Sequence, residues 1–138
     1  MKNKNNKRGS TLAELLIVVA IIAVLVAVAI PVFTTQLEKS RDAVSISNIR
    51  AAYAEAAAAV LTWNGTDTTS DGLAISKSGN VTTVTVTGVA IKSQKADNWS
   101  GLGTELPFNA PNDTGANADQ SAAFAYDSST DTWTCTLS

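Results

Sequence analysis

The chain has 138 residues, a formal net charge of −2, one Cys and no His. The missing His excludes Ser-His-Asp and Cys-His catalysis and any His-bound zinc, and a lone Cys135 excludes an intrachain disulfide. Four of the ten basic residues, Lys2, Lys4, Lys7 and Arg8, lie in the first nine positions, so the remainder is acidic and lacks the electrostatic footprint of a nucleic-acid binder.

After this basic start comes Gly9-Ser10-Thr11-Leu12-Ala13-Glu14, and then 23 uncharged residues, Leu15 to Leu37. About 20 apolar residues suffice to cross a bilayer as a helix. A helix apolar on all sides cannot find enough partners in so short a chain to be a soluble core. The basic flank faces only Lys39 and Arg41 at the other end, which orients the N-terminus to the cytoplasm. Glu14 stands at the rim of this run. A carboxylate costs about 2.5–3.5 kcal/mol at full membrane depth and less near the edge. Two local roles fit it: a flank that snorkels to the headgroups, or the acidic end of a Thr11-x-x-Glu14 capping box on a helix starting near Ser10 or Thr11. Ala27-Val28-Ala29 matches the small-x-small site of an ordinary secretory signal, which would release a chain beginning at Ile30. The charge at Glu14 and the continuation through Val32 and Phe33 weigh against that cut.

Taken together, the basic leader ending in Gly9, the Ser-Thr-Leu-Ala-Glu that follows and the apolar run to Pro31 resemble the type IV prepilin signal. The resemblance is specific over residues 7–31 and fades to general architecture beyond about residue 62. It implies a cut between Gly9 and Ser10 by a prepilin peptidase, and methylation of the new Ser10 amine. It makes Glu14 the fifth mature residue and Pro31 the twenty-second. It implies that Glu14 and Pro31 serve assembly. The sequence departs from the family at Ser10, where Phe is usual, and at Ala23, where many relatives have Gly. Ala is about 0.8–1.0 kcal/mol better than Gly in a helix, which disfavours the loosening that relatives show between that position and the Pro.

Beyond the run, Pro31 cannot donate to the carbonyl of Ala27 and should bend the helix. Glu38, Lys39, Arg41 and Asp42 read as a charged collar, a solvated face. Ile46, Ile49, Tyr53, Ala57 and Val60 then fall on one helical face. Trp63-Asn64-Gly65-Thr66 is the stop, with Gly65 suited to a left-handed cap. Thr66 to Asp71 reads as a polar loop, Gly72 to Ser76 as a short strand and Lys77 to Asn80 as a turn. Val81 to Thr87 alternates as a strand, with Val84 and Val86 on one face. The apolar phase shifts to Val89 and Ile91 after Gly88, which marks a bulge or a tight turn. Residues 93–121 read as irregular. Asn112, Asp113, Asn117 and Asp119 offer oxygen there, and a related pseudopilin group holds calcium in a comparable loop. No firm ligand spacing is present, so these residues read as solvated. A hairpin follows, with Phe124 and Tyr126 on one strand and Trp133, Cys135 and Leu137 on the other. Cys135 reads as a small buried apolar side chain.

The expected fold is α+β and type IV pilin-like. A long N-terminal helix, its first half transmembrane, packs on a small antiparallel sheet. The expected organisation is a leader over 1–9, a transmembrane and filament-core helix over 10–32 and a globular domain over 33–138. The expected function is structural: a pilin that polymerises through its apolar helix, with no enzymatic activity, no metal and no cofactor. Its partners would be copies of itself, other pilins, the prepilin peptidase, the inner assembly platform and the membrane, with no nucleic acid bound directly. It would sit in the cytoplasmic membrane before assembly and in an extracellular pilus afterwards. The alternatives are a pseudopilin of a type II secretion or competence (DNA-uptake) machine, and a non-polymerising membrane-anchored surface binding module.

Overall fold

The computed structural model describes residues 3–138, with side chains from Ser10 onward. Lys2 and the side chains of Lys4, Lys7 and Arg8, on which the leader reading rests, lie outside the described residues. Helix α1 runs Asn3–Thr62. Strands β1 (Thr68–Ser70), β2 (Leu73–Ser78), β3 (Val81–Ile91), β4 (Ala118–Asp127) and β5 (Thr132–Leu137) follow, with a 3-10 segment, Asn98–Glu105, between β3 and β4. The strands form one antiparallel sheet in chain order. Two compact units result, Met1–Leu37 and Glu38–Ser138.

In the second unit the rear of α1 covers the sheet. Ile46, Ile49, Ala52 and Ala56 form one core with Ile75, Val84, Val86, Val89, Ile91, Ala122, Phe124 and Cys135. This is the pilin-like α+β fold that the resemblance implies. The helical stripe takes a slightly different line from the expected one: Ala52 and Ala56 are buried, whereas Ala57 is only half-buried. Small side chains on this line let the helix approach the aromatic cluster of Tyr53, Phe108, Phe124 and Trp133, whose neighbouring ring centroids lie 4.9–5.8 Å apart. The helix stops where expected. Gly65 is left-handed (φ 88°), the Asn64 side chain accepts from Thr66 N, and the Trp63 indole donates to the Thr66 carbonyl at 2.7 Å.

Gly88 is a bulge. The β3–β4 register shifts between Val86 and Val89, and Gly88 takes φ 74°, so β3 continues to Ile91 with its apolar face preserved. Thr68–Ser70, expected as loop, pairs as a three-residue edge strand on β2. The terminal hairpin forms as read, with Phe124 opposite Cys135 and Tyr126 opposite Trp133. Cys135 is buried, and burial pushes its thiol up to about 12. The thiolate is the reactive form, so Cys135 in the folded chain should react with iodoacetamide more than about a hundredfold slower than in urea. Comparable labelling rates in the two conditions would contradict this packing.

Two sequence readings are overturned here. The first is the solvated collar: Glu38 and Asp42 are buried. Glu38 Oε1 accepts from Gln94 N at 2.9 Å and Lys95 N at 3.0 Å, and the Ser93 hydroxyl oxygen lies 3.2 Å from it. Burial pushes the Glu38 carboxyl up, but these bonds and that from Arg41 outweigh it and hold it below the usual carboxylate range. Ser45 Oγ accepts from Lys92 N and Ser93 N, and Asn48 donates to the Ala90 carbonyl. This polar row fastens α1 to the chain leaving β3.

The second concerns Asp113 and the stretch 93–121, part of which is packed rather than solvated. Trp99 is fully buried, and its indole donates to the Pro111 carbonyl at 2.9 Å. Asp113 turns inward and accepts from the Ser93 hydroxyl and from Asp97 N, Trp99 N and Gly115 N. These bonds hold Asn98, Trp99 and Ser100 at positive φ, a region that costs most residues energy. Asn112, Asn117 and Asp119 are exposed and form no acidic cluster with Asp113.

Candidate functional site

Within the first unit, residues 10–37 form one helical segment. Every side chain from Ser10 to Leu37 is exposed, including Leu16 at 69% and Phe33 at 67%. The helix is long and apolar enough to cross a membrane. Leu, Ile, Val and Ala dominate the segment. The β-branched residues cost a few tenths of a kcal/mol each in helix propensity, and only burial among apolar neighbours offsets that. In water such a surface is unstable. It requires lipid or other helices.

Three sequence-predicted residues sit on this segment. Ser10 and Glu14 are exposed and one helical turn apart, and Pro31 lies inside the helix. The Gly9–Ser10 bond is in helical backbone. Gly is about 0.8–1.0 kcal/mol worse than Ala in a helix, so Gly9 weakens the helix locally. The expected helix start near Ser10 or Thr11 is not where the uncut chain begins its helix. The helix already runs through these residues from Asn3, so Thr11 and Glu14 lie in its interior and form no N-terminal box. That box is available only to a chain that begins at Ser10.

Pro31 does not break the helix. It leaves the Ala27 carbonyl without its usual donor. The hydroxyls of Thr34 and Thr35 both donate to the Pro31 carbonyl, at 2.9 and 3.0 Å. Sequence reading missed this pair. The signal was available: hydroxyl residues three and four positions after a Pro can bond back along the helix. The effect is to hide two hydroxyls inside an otherwise apolar segment.

Chemically, the segment offers apolar surface on every side, one carboxylate near its front and one interrupted backbone bond. The prokaryotic N-terminal methylation motif matches residues 4–30. No curated protein and no solved structure matches the chain.

Proposed function

We propose that this protein is a member of the type IV pilin and pseudopilin family and a structural pilus subunit, made as a membrane-anchored precursor and polymerised through residues 10–32. The observation that carries the reading is the coincidence of the methylation motif with a helix exposed on all sides. The motif implies processing by a prepilin peptidase. A cut after Gly9 removes the basic leader and leaves a mature chain of three parts in function: a new amine at Ser10, an apolar helix to about residue 32 and a globular domain from residue 33. Methylation of the Ser10 amine keeps its charge.

Before assembly, lipid covers the apolar helix. Leaving the bilayer requires that neighbouring helices replace lipid, and a filament with a helical core supplies them. Glu14 then neutralises the Ser10 amine of an adjacent subunit, which offsets the burial of both charges. Pro31, which cannot donate to the Ala27 carbonyl, gives the packed helix a place to adjust. Copies of this chain are the main partners, with the inner assembly platform acting before export. The family consists typically of non-enzymatic structural proteins, and this chain is read the same way.

Processing is tested by the intact mass of the membrane-extracted protein. In cells with a prepilin peptidase the mass should be that of residues 10–138 plus one methyl group. In cells lacking the peptidase the full 138 residues should remain in the membrane and surface filaments should vanish. A chain beginning at Met1 in both, or at Ile30, would refute the proposal. Correct processing without surface filaments would instead assign the chain to the pseudopilins.

A further inference from the structure

Within the second unit, α1 carries two buried carboxylates one turn apart, Glu38 and Asp42. The 3-10 segment brings a third, Asp97, to the same place. One carboxylate oxygen from each lies within 4.8 Å of the other two. Asp42 is completely buried, and its Oδ1 has no hydrogen-bond partner among the described residues. We propose that Glu38, Asp42 and Asp97 bind one hard divalent cation of the calcium type, which ties α1 to the turn at residues 97–100.

The hydrogen bonds leave this cluster short of positive charge. Ser100 Oγ lies within hydrogen-bonding reach of Asp42 Oδ2 and is 3.3 Å from Asp97 Oδ2. A hydroxyl has a single proton, so Ser100 serves the closer Asp42 oxygen and leaves the Asp97 one without it. Arg41 reaches Glu38 Oε2 at 3.5 Å, the one ion pair among the described residues. Three carboxylates thus face one guanidinium, and the deficit equals the charge of a divalent cation. A buried carboxylate with an unpartnered oxygen is costly as an ion. A cation reverses that cost, because the same oxygen becomes a ligand.

The donors select the ion. All are hard carboxylate or hydroxyl oxygens, and the chain has no His. That set suits calcium or magnesium rather than zinc or copper. Oxygens bound to one calcium at about 2.3–2.6 Å can lie up to about 5 Å apart on opposite sides of it, and one carboxylate oxygen from each of the three residues lies within 4.8 Å of the others. Magnesium demands a tighter, near-octahedral shell at about 2.0–2.1 Å and gives up its water reluctantly, so a cluster of protein carboxylates favours calcium. Asp113 lies outside this cluster of three and serves the turn instead, accepting from three backbone amides. It also does not depend on whether the chain polymerises.

The test is thermal unfolding of the full chain in detergent micelles, stripped with EDTA and titrated with calcium chloride at constant ionic strength. The melting temperature should rise and saturate as for a single site, and sodium chloride or the same concentration of magnesium chloride should give a smaller shift. Asp97 is exposed, so Asp97→Asn should fold normally but need about tenfold more calcium, or higher, for half the effect. Asp42→Asn should melt above the wild type in EDTA, because it removes an uncompensated buried charge, and should lose the calcium response. Terbium bound in place of calcium should emit when tryptophan is excited, and calcium should quench this emission by displacement. No saturable rise in the wild type, or an equal rise in wild type and Asp97→Asn, would overturn the site.

Discussion

Glu14→Ala should leave the protein in the membrane, cut after Gly9, yet abolish its surface filaments. The uncut helix already runs through this position from Asn3, so Glu14 is no cap in the precursor and its loss does not disturb insertion. In the mature chain a lost capping group costs only about 0.5–2 kcal/mol. Removing one partner of a buried ion pair costs about 3–5 kcal/mol. The second cost recurs at every subunit, so it decides assembly where the first does not. Glu14→Gln keeps shape and hydrogen bonding but lacks charge, and should also assemble poorly. Blots of sheared and membrane fractions give the readout. Normal filaments from both variants would return Glu14 to a capping role.

Ile49→Asp should unfold the second unit. Ile49 is fully buried at the centre of the stripe that α1 lays on the sheet. Losing a buried Ile side chain costs about 2–5 kcal/mol, and a carboxylate with no partner adds desolvation on top. Domains of this size have about 5–15 kcal/mol to lose. A fragment of residues 33–138 retains the whole unit that begins at Glu38 and should be soluble and folded. The same fragment with Ile49→Asp should show no cooperative melt. An unchanged melting curve would mean that the stripe is not core.

These two predictions rest on features of different legibility. The methylation motif over residues 4–30 is local, so its charge, spacing and apolar run could be read directly. The Gly88 bulge was also legible, because a one-residue phase shift between Val86 and Val89 must be absorbed somewhere. The terminal hairpin followed from strict alternation.

The buried carboxylates were harder. Residues 38, 42, 45, 49, 52 and 56 form one stripe at alternating steps of four and three, and all are buried. Its front part is polar, so a search for apolar periodicity begins only at Ile46. Charges there are tolerated because donors arrive from far along the chain: Gln94 N lies 56 positions from Glu38, and Ser100 58 positions from Asp42. The burial of Trp99 is of the same kind. It depends on Asp113 and Pro111 closing a loop whose composition reads as solvent-exposed.

On the proposed reading, residues 10–32 form the core of a filament. A cryo-electron microscopy reconstruction of sheared surface filaments, with mass spectrometry of their subunits, tests it most directly. The expected map has the apolar helices packed around the axis, each Glu14 against the Ser10 amine of a neighbour, and the sheets outside. The subunit mass should be that of a methylated chain starting at Ser10. Filaments that lack this protein, or a protein found only as an uncut monomer in the membrane, would contradict it.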